Sequence, residues 1–310
     1  MRGGGHTQGL RRLAAIGLEA VASVGPLWLH REILFILHQR RLGNFRHPKT
    51  FNEKLNWRII YDRRELLQFS CDKLYTKGLA AKQDIRSPRV LWSGTDLAEL
   101  TKLELPARWV LKPNHGSGRL HFGQGPVTDL PLLRAATQGW LESSGPERHG
   151  EWAYKQARHL LLLEEMLGDG DNTPALYNFY VFDGKPLFIG AIGPQPVNFT
   201  TWRHSRGAPW PPAGTAIRYY TSAWEPLPVR ENGVPLAPEE AEPAALSSMT
   251  EAARRLGRGF DFMRVDLNCA DGEVYFGELT PYDNGCFRRL EPSSFDLELG
   301  SHWTLPDLGR

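Results

Sequence analysis

Residues 262–279 constrain the fold of this 310-residue chain more than any other segment. They read as two short strands joined by a tight turn at 271–272, a sequence typical of a β-hairpin. Because side chains alternate between the two faces of a strand, Arg264 and Asp266 share one face of the first strand. Glu278 ends the second strand. The sequence therefore predicts a half-buried hairpin that carries an arginine and two carboxylates.

The length of the turn decides whether the two carboxylates meet. With a three-residue loop at 271–273, Asp266 lies directly opposite Glu278, and two facing carboxylates repel each other unless a cation lies between them. A two-residue loop shifts the register and separates them, unless a bulge restores the pairing. The first arrangement predicts a magnesium–nucleotide site with Arg264 as an anion clamp. A hairpin with solvated surface charges is the alternative.

The composition excludes few classes of protein, but it does bear on partners and compartment. A net charge of +2 gives no reason to expect a nucleic-acid partner. The three cysteines, Cys71, Cys269 and Cys286, form neither a metal-ligand spacing nor an even set. This usage fits a reducing, cytoplasmic compartment.

The first 45 residues are predicted to form a tail followed by a basic amphipathic helix. The apolar run after Arg12 is interrupted by Glu19 and is too short to span a membrane, so a secretory signal is a weak alternative. Residues 28–41 mix apolar and basic positions, which predicts a helix with a cationic face. The basic positions are Arg31, His38, Arg40 and Arg41. Peripheral contact with the inner face of a membrane and a plain solvated face are the two interpretations.

Helices are predicted mainly early in the chain and antiparallel hairpins mainly late, which indicates an α+β fold with mixed sheets. Thr50-Phe-Asn-Glu53 is a capping box that opens a helix through about Tyr61. Its buried stripe is predicted at Phe51, Leu55, Trp57 and Ile59. Further helices are predicted over 72–82, 130–143 and 243–256, and a second hairpin turns at Asp183-Gly184.

A glycine-rich loop follows directly after a predicted strand. In Lys112-Pro-Asn-His-Gly-Ser-Gly118, the glycines allow backbone N–H groups to approach phosphate oxygens, and the lysine adds a positive charge. No Gly-Lys-Ser/Thr closes the loop, so it is not a Walker loop. An ordinary flexible turn is the alternative.

Two weaker signals lie on either side of this loop. Glu164-Glu165 ends an apolar strand, where carboxylates can accept from adenine amino or ribose hydroxyl groups, although a plain strand end is an equal alternative. Lys73 and Lys77 lie one helical turn apart after Asp72, and lysines at this spacing are ordinarily solvent-facing.

The order of these elements resembles the ATP-grasp superfamily, and four segments between about Arg31 and Gly285 resemble its TupA-like family more closely. The segments are Pro48-Lys-Thr-Phe-Asn-Glu-Lys-Leu-Asn-Trp57, Val110-Leu-Lys-Pro-Asn-His-Gly-Ser-Gly118, Phe182-Asp-Gly-Lys-Pro186, and Arg264-Val-Asp-Leu267 with Tyr275-Phe-Gly-Glu-Leu-Thr280. The family is linked to teichuronopeptide and surface-polysaccharide synthesis. The resemblance implies an ATP-grasp fold in which two α+β lobes grip ATP, with an added N-terminal helical segment.

The resemblance also implies four ranges along the chain. They are 1–45, the tail and basic helix; 46–105, an N-terminal helical lobe; 106–168, the lid lobe with the glycine loop; and 169–310, the core lobe with the magnesium site.

Residue roles are implied at the positions that match the family. The nucleotide-binding positions are Lys73, Lys112, Gly116, Ser117, Gly118, Glu164 and Glu165. Asp266, Glu278 and Thr280 are implied as magnesium ligands, and Arg264 is implied to stabilise the transferring phosphoryl group. His115 lies in the lid, where contact with phosphate and a turn-stabilising role are both open.

The implied activity is ATP-dependent ligation of a carboxylate to an amine through an acylphosphate, with ATP and Mg²⁺ required. The substrates would be an amino acid and an acidic glycan or peptide, and Trp202-Arg-His-Ser-Arg206 is a candidate acceptor loop. Three departures stand out: Thr280 lies where the superfamily usually has an asparagine, although threonine fits the TupA-like family; Leu176-Tyr-Asn-Phe179 lacks an aspartate and a lysine expected in the family; and 281–285 is atypical. A nucleotide-binding scaffold and a small-molecule or sugar kinase are the alternatives.

Overall fold

The protein is described by a computed structural model over residues 25–143, 145, 149–168, 171–197 and 215–309. The candidate acceptor loop at 202–206 and the first 24 residues of the predicted tail lie outside these ranges. The helices are α1 (Leu27–Gln39), α2 (Phe51–Tyr61), α3 (Glu65–Ser70), α4 (Lys73–Ala81), α5 (Leu130–Ala136), α6 (Trp152–Gln156), α7 (Leu246–Leu256) and α8 (Ser294–Ser301). A short 3₁₀ helix spans Leu97–Lys102, and Asp283–Cys286 forms a turn in which Asn284 and Gly285 have non-helical backbone angles.

The strands form two main sheets and one small pair. They are β1 (Val90–Gly94), β2 (Arg108–Pro113), β3 (His121–Gln124), β4 (Leu161–Glu165), β5 (Ala175–Phe182), β6 (Lys185–Ile192), β7 (Arg218–Thr221), β8 (Pro226–Leu227), β9 (Arg230–Glu231), β10 (Phe262–Ala270), β11 (Glu273–Thr280) and β12 (Leu290–Glu291). The α+β class is confirmed. Every described strand pair is antiparallel, so the prediction of mixed sheets is wrong.

The smaller main sheet has four strands in the order β1-β4-β2-β3. The glycine loop joins β2 to β3, so it lies at the end of a hairpin. Strand β1 comes from the range predicted as the helical lobe, and it extends the sheet by pairing with β4.

The larger sheet has six strands in the order β11-β10-β5-β6-β7-β8. The hairpins predicted at 183–184 and 262–279 supply four of these strands. Because β10 lies between β11 and β5, the predicted arginine and first carboxylate stand inside the sheet and not at its edge.

Helix α2 covers one face of this sheet. Thr50 and Glu53 form the predicted capping box, each binding the backbone N–H of the other. Phe51 meets Phe262 of β10 edge-on, with ring centroids 4.8 Å apart. Leu55 and Ile59 are buried as predicted, whereas Trp57 is only half-buried. Helix α7 packs against the opposite face, where Met249 and Ala253 are fully buried.

Helix α1 differs from its prediction at one basic position. Arg31 was assigned to a cationic face, but it is fully buried and donates from Nε to Asn56 Oδ1 at 2.8 Å. An arginine is buried only when its donors are matched, and here its guanidinium also lies 4.0 Å from the ring centroid of Phe287. Arg40 and Arg41 remain exposed. Within the described residues, no helix has the length and apolar character needed to cross a membrane.

The packing of α8 on the start of α2 gives a test of the fold. A Cβ at Gly300 would lie 2.1 Å from the backbone oxygen of Lys49, so Gly300→Ala forces the two helices apart. We expect the free energy of unfolding in urea to fall by about 1–3 kcal/mol. Gly78→Ala is the matched control, because a Cβ in this exposed turn of α4 meets nothing within 4 Å. That substitution should stabilise the protein by about 0.5–1 kcal/mol, and equal effects of the two would contradict the packing described.

Candidate active site

The two carboxylates of the hairpin face each other because of a bulge, and not because of a three-residue loop. The turn has two residues, Asp271 and Gly272, both with left-handed backbone (φ 53° and 77°). Ala270 pairs with Glu273, and a bulge then shifts the register so that Asp266 lies opposite Glu278. The extra residue is Gly277, where a Cβ would lie 3.0 Å from the backbone oxygen of Asp266. The bulge therefore restores the pairing that an even loop would have lost.

Arg264 binds the carboxylate on its own strand. Its Nε and Nη2 donate to the two oxygens of Asp266, each at 2.7 Å, which is the bidentate geometry of a strong ion pair. Thr280 lies opposite Arg264, and its hydroxyl is 3.3 Å from both Arg264 Nη2 and Asp266 Oδ2. The three residues form a single hydrogen-bonded group on one face of the sheet.

A residue that the sequence did not single out completes this group. Asp283 is fully buried and accepts from Nη1 of Arg264. It also accepts from the hydroxyl of Tyr180 at 3.1 Å and from Nη2 of Arg288 at 3.1 Å. In the sequence, residues 281–285 differ from the family pattern, but they give no sign of a role. No motif could have shown that this segment reaches Arg264, because the contact depends on the tertiary fold.

Lys73 connects the two sheets. It lies at the start of α4, and its Nζ contacts Glu278 Oε2 at 3.1 Å on the larger sheet. The same ammonium donates to the backbone oxygen of Gly116 in the glycine loop of the smaller sheet. Asn114 strengthens the connection by accepting from the backbone N–H of Leu74 at 2.8 Å. Lys73 and the glycine loop are therefore brought to Glu278, which faces Asp266.

Glu164 forms the second cluster of charges. Its buried carboxylate contacts Lys112 Nζ at 2.6 Å and Lys77 Nζ at 2.9 Å. Burial alone would raise the pKa of Glu164, but the two lysine charges outweigh it and the pKa is lowered. Burial, assisted by the nearby lysines Lys112 and Lys73, lowers the pKa of Lys77 to about 8. Lys77 is buried, so the prediction that this lysine faces solvent is wrong.

The remaining predicted residues lie around these clusters. Glu165 is half-buried at the rim, where it pairs with the exposed Arg89. His115 is fully buried and stacks on His159 with ring centroids 3.9 Å apart. Burial, together with the charge of His159, lowers the pKa of His115 to about 4, so this ring is neutral at pH 7. Ser117 is exposed at the tip of the loop, whereas Gly116 before it is buried and Gly118 after it is half-buried.

The charges around Asp266 favour a cation. Burial raises the pKa of Asp266 to about 6, and the neighbouring carboxylates Glu278 and Asp283 add to this against the opposing charge of Arg264. Burial acts on Glu278 in the same direction, but Lys73 and Arg264 outweigh it and its pKa is lowered. Of the two facing carboxylates, the negative charge of Asp266 is thus less well balanced by nearby positive groups than that of Glu278.

The donor set suits a magnesium ion in type, although it is not a complete cage. Asp266 and Glu278 offer carboxylate oxygens, which are preferred ligands of Mg²⁺. Asn178 pairs with Asp266 on the other side, and its buried Oδ1 has no hydrogen-bond partner among the described residues. Across the described ranges, no group of three or more His, Cys, Asp or Glu is arranged around a common metal position. Asp266 would have to share its oxygens between Arg264 and the ion.

Comparison with known proteins finds a family match over the part of the chain that holds this hairpin. Residues 213–304 match the family model described as TupA-like ATPgrasp. The predicted family is thereby confirmed over this part of the chain, which includes Arg264, Asp266 and Glu278. The same match supports the ATP-grasp assignment of the fold over these residues. No curated protein matches the chain by sequence.

Several solved ligases are similar in structure at low sequence identity. The D-alanine–D-alanine ligase of Bacillus anthracis, complexed with ATP, is 19% identical over 70% of this chain and 56% of its own length, with a TM-score of 0.38. The Helicobacter pylori D-alanine–D-alanine ligase is 16% identical over 77% and 62%, with a TM-score of 0.40. The L-amino acid ligase of Bacillus licheniformis is 17% identical over 70% and 41%, with a TM-score of 0.39. This chain therefore spans less than two thirds of the length of each.

The Glu164 cluster predicts different effects for two adjacent glutamates. Glu164→Gln leaves two buried ammonium groups without their carboxylate, so we expect the free energy of unfolding at pH 7 to fall by about 3–5 kcal/mol. Glu165→Gln removes only a rim ion pair and should cost less than about 1 kcal/mol. Urea denaturation of both variants measures the difference. A loss below about 1 kcal/mol for Glu164→Gln would show that the cluster is not the buried network described.

Proposed function

We propose that the protein is an ATP-dependent carboxylate–amine ligase. One observation carries the proposal: the ammonium group of Lys73 contacts both the glycine loop and Glu278. A loop suited to binding phosphate therefore lies next to the facing carboxylates, which are suited to binding a metal ion. The family match over residues 213–304 supports this interpretation for the hairpin. A site that combines phosphate-binding lysines, facing carboxylates and an arginine suits phosphoryl transfer from a nucleotide.

The lysines and the loop would bind the nucleotide. Lys73 and Lys112 are placed to contact the phosphates, and Lys77 adds a third charge behind them. Gly116, Ser117 and Gly118 would cover the phosphates with their backbone N–H groups. Glu165 lies at the rim, where adenine or ribose groups can donate to it. Glu164 would act differently from its prediction, by holding Lys77 and Lys112 in position.

A magnesium ion would be held by Asp266 and Glu278, with the Thr280 hydroxyl and the Asn178 oxygen as further donors. When bound, such an ion neutralises phosphate charge and draws the reacting oxygens together. Arg264 would stabilise the transferring phosphoryl group, because its guanidinium is held by Asp266 and Asp283 and keeps its charge at any working pH.

The reaction proposed has two steps. An oxygen of the substrate carboxylate attacks the γ-phosphorus of ATP, and ADP leaves. The nitrogen of the amine then attacks the acyl carbon and loses a proton, while phosphate departs with the electrons of the acyl C–O bond. The products are an amide, ADP and phosphate. No protein nucleophile is needed, which agrees with the buried positions of Cys71 and Cys286.

The substrates proposed are an amino acid or amine and an acidic glycan or peptide, in cell-surface polymer or natural-product synthesis. A cytoplasmic location, peripheral to the inner face of a membrane, belongs to the same proposal. Exposed Trp28, Ile36 and Leu42 accompany Arg40 and Arg41 near α1, and this combination suits an anionic lipid surface.

The function is tested by ADP release with pooled amino acids, amines and uronic acids, followed by mass spectrometry of the products. We expect Asp266→Asn and Glu278→Gln each to lower turnover by at least about 100-fold. Glu273→Gln is the control, because this carboxylate lies on the same hairpin but is exposed, where it pairs with the exposed Arg86. Nucleotide binding without turnover of any substrate would favour a scaffold, and a stable phosphorylated product would identify a kinase.

The unpartnered oxygen of Asn178 gives a test of the metal donors that does not depend on turnover. Asn178→Leu should weaken Mn²⁺ binding in the presence of ADP by about tenfold, since one oxygen donor is lost. Asn268→Leu, on the same strand face as Asp266 but farther along β10, should leave the affinity near that of the wild type. Electron paramagnetic resonance of free Mn²⁺ measures both. Equal affinities for the two variants would exclude Asn178 as a donor.

A further inference from the structure

Segment 285–288 is held by side chains and not by a regular element. Asn284, Gly285 and Cys286 have successive left-handed backbone angles (φ 45°, 67° and 66°), so they cannot continue a helix or a strand. Four consecutive backbone carbonyls then accept from side chains of α1 and α2. The pairs are Arg31 Nη2 with Gly285 O at 2.9 Å, Asn56 Nδ2 with Cys286 O at 3.0 Å, Gln39 Nε2 with Phe287 O at 3.0 Å, and Asn52 Nδ2 with Arg288 O at 2.9 Å.

This set of contacts explains the motif around Asn52 and Asn56, to which the proposed chemistry gives no role. Both asparagines are buried, and each donates to a carbonyl more than 200 positions away in sequence. Asn56 also binds Arg31, so the two helices form one hydrogen-bonded framework. Buried carbonyls that have no backbone partner need such donors, because an unpaired buried polar group is costly.

The segment held in this way follows directly after Asp283, the second carboxylate that contacts Arg264. Asp283 lies immediately before residues 284–288, and its Oδ1 accepts from Nη1 of Arg264 and from Nη2 of Arg288. Arg288 belongs to the same segment and is itself anchored by Glu231. The position of Asp283 is thus set at both ends of the segment.

Arg264 has two carboxylate partners, and the proposed metal competes for one of them. Asp266 uses both oxygens on Arg264 in the structure, and it is also the first metal donor of the hairpin. An ion held there would share the oxygens of Asp266 with Arg264, so this carboxylate would bind the guanidinium less tightly. Asp283 faces Arg264 from the other side and is not among the proposed metal donors.

We propose that Asp283 is a positioning residue that keeps Arg264 in place when Asp266 binds the metal, and that α1 and α2 fix Asp283 by binding the carbonyls of residues 285–288. The proposal rests on the proposed function, because it assigns a use to Arg264. It gives α1 and the motif of α2 a task in the reaction: they hold a carboxylate on the far side of the arginine.

The decisive variant is Asp283→Asn, which keeps the shape of the side chain and removes its charge. We expect kcat to fall by about 10- to 100-fold, with KM for ATP within about twofold of the wild type because the lysines still bind the phosphates. Mn²⁺ binding with ADP should weaken several-fold, because Arg264 then has only Asp266 as a carboxylate partner. Glu291→Gln removes a carboxylate that pairs with Arg230 and Arg289 outside this network, and both kcat and the Mn²⁺ affinity should stay near the wild type.

The contribution of the helices is tested by a variant that loses a single bond. Gln39→Met removes the donor to Phe287 O at a half-buried position, and we expect kcat to fall by about two- to fivefold. In the Asp283→Asn background the same change should have no further effect, because residues that act through one another are not additive. Arg40→Met, one position along and exposed, serves as the control.

The outcomes separate this proposal from the proposed function. Unchanged kcat and unchanged Mn²⁺ affinity in Asp283→Asn overturn it, as does full additivity of Gln39→Met. If the wild type releases no ADP with any substrate, the ligase proposal fails, while the Mn²⁺ titration still decides the role of Asp283. Should Asp283→Asn fail to fold, Tyr180→Phe removes one other bond to Asp283, and it should lower kcat and Mn²⁺ affinity by about two- to fivefold. No change in either reading then overturns the proposal.

Discussion

The site depends on a single extra residue in one strand. Gly277 forms the bulge that turns Glu278 toward Asp266, and without it the two carboxylates would lie on opposite faces of the sheet. Lys73 reaches the larger sheet through Glu278, so the contact between the glycine loop and the hairpin depends on the same bulge. Glycine is suited to this position because a side chain would meet the backbone of the neighbouring strand.

Burial of charge is the second constraint, and the protein meets it by pairing. Lys77 and Lys112 share Glu164, Lys73 contacts Glu278, and Arg264 lies between Asp266 and Asp283. A buried ion pair adds little net stability, whereas losing one partner is costly. The pairs are therefore better understood as holding cations in fixed positions than as a source of stability. Such preorganisation is what phosphate recognition requires, because the donors then need little rearrangement.

Much of the fold could be predicted from the sequence, because its signals are local. The capping box at Thr50 and the turns at 183–184 and 271–272 specify their elements within a few residues. Whether Asp266 and Glu278 face each other could not be predicted from the sequence alone, because the spacing of the charged residues does not show whether a strand contains a bulge. Lys77, Asp283 and the buried state of Arg31 could not be predicted, because each depends on partners far away in sequence.

The pairing of charges also bears on which ligand the site accepts. Lys73, Lys77, Lys112 and Arg264 are balanced by Glu164, Asp266, Glu278 and Asp283. The group of side chains is thus close to neutral by itself, and a bare polyanion would meet as much repulsion as attraction there. A triphosphate that brings its own divalent counter-ion can instead exchange partners, with its oxygens taking the cations and its metal taking the carboxylates. In the proposed function, this balance of charges would favour a nucleotide that carries its metal ion over the free polyanion.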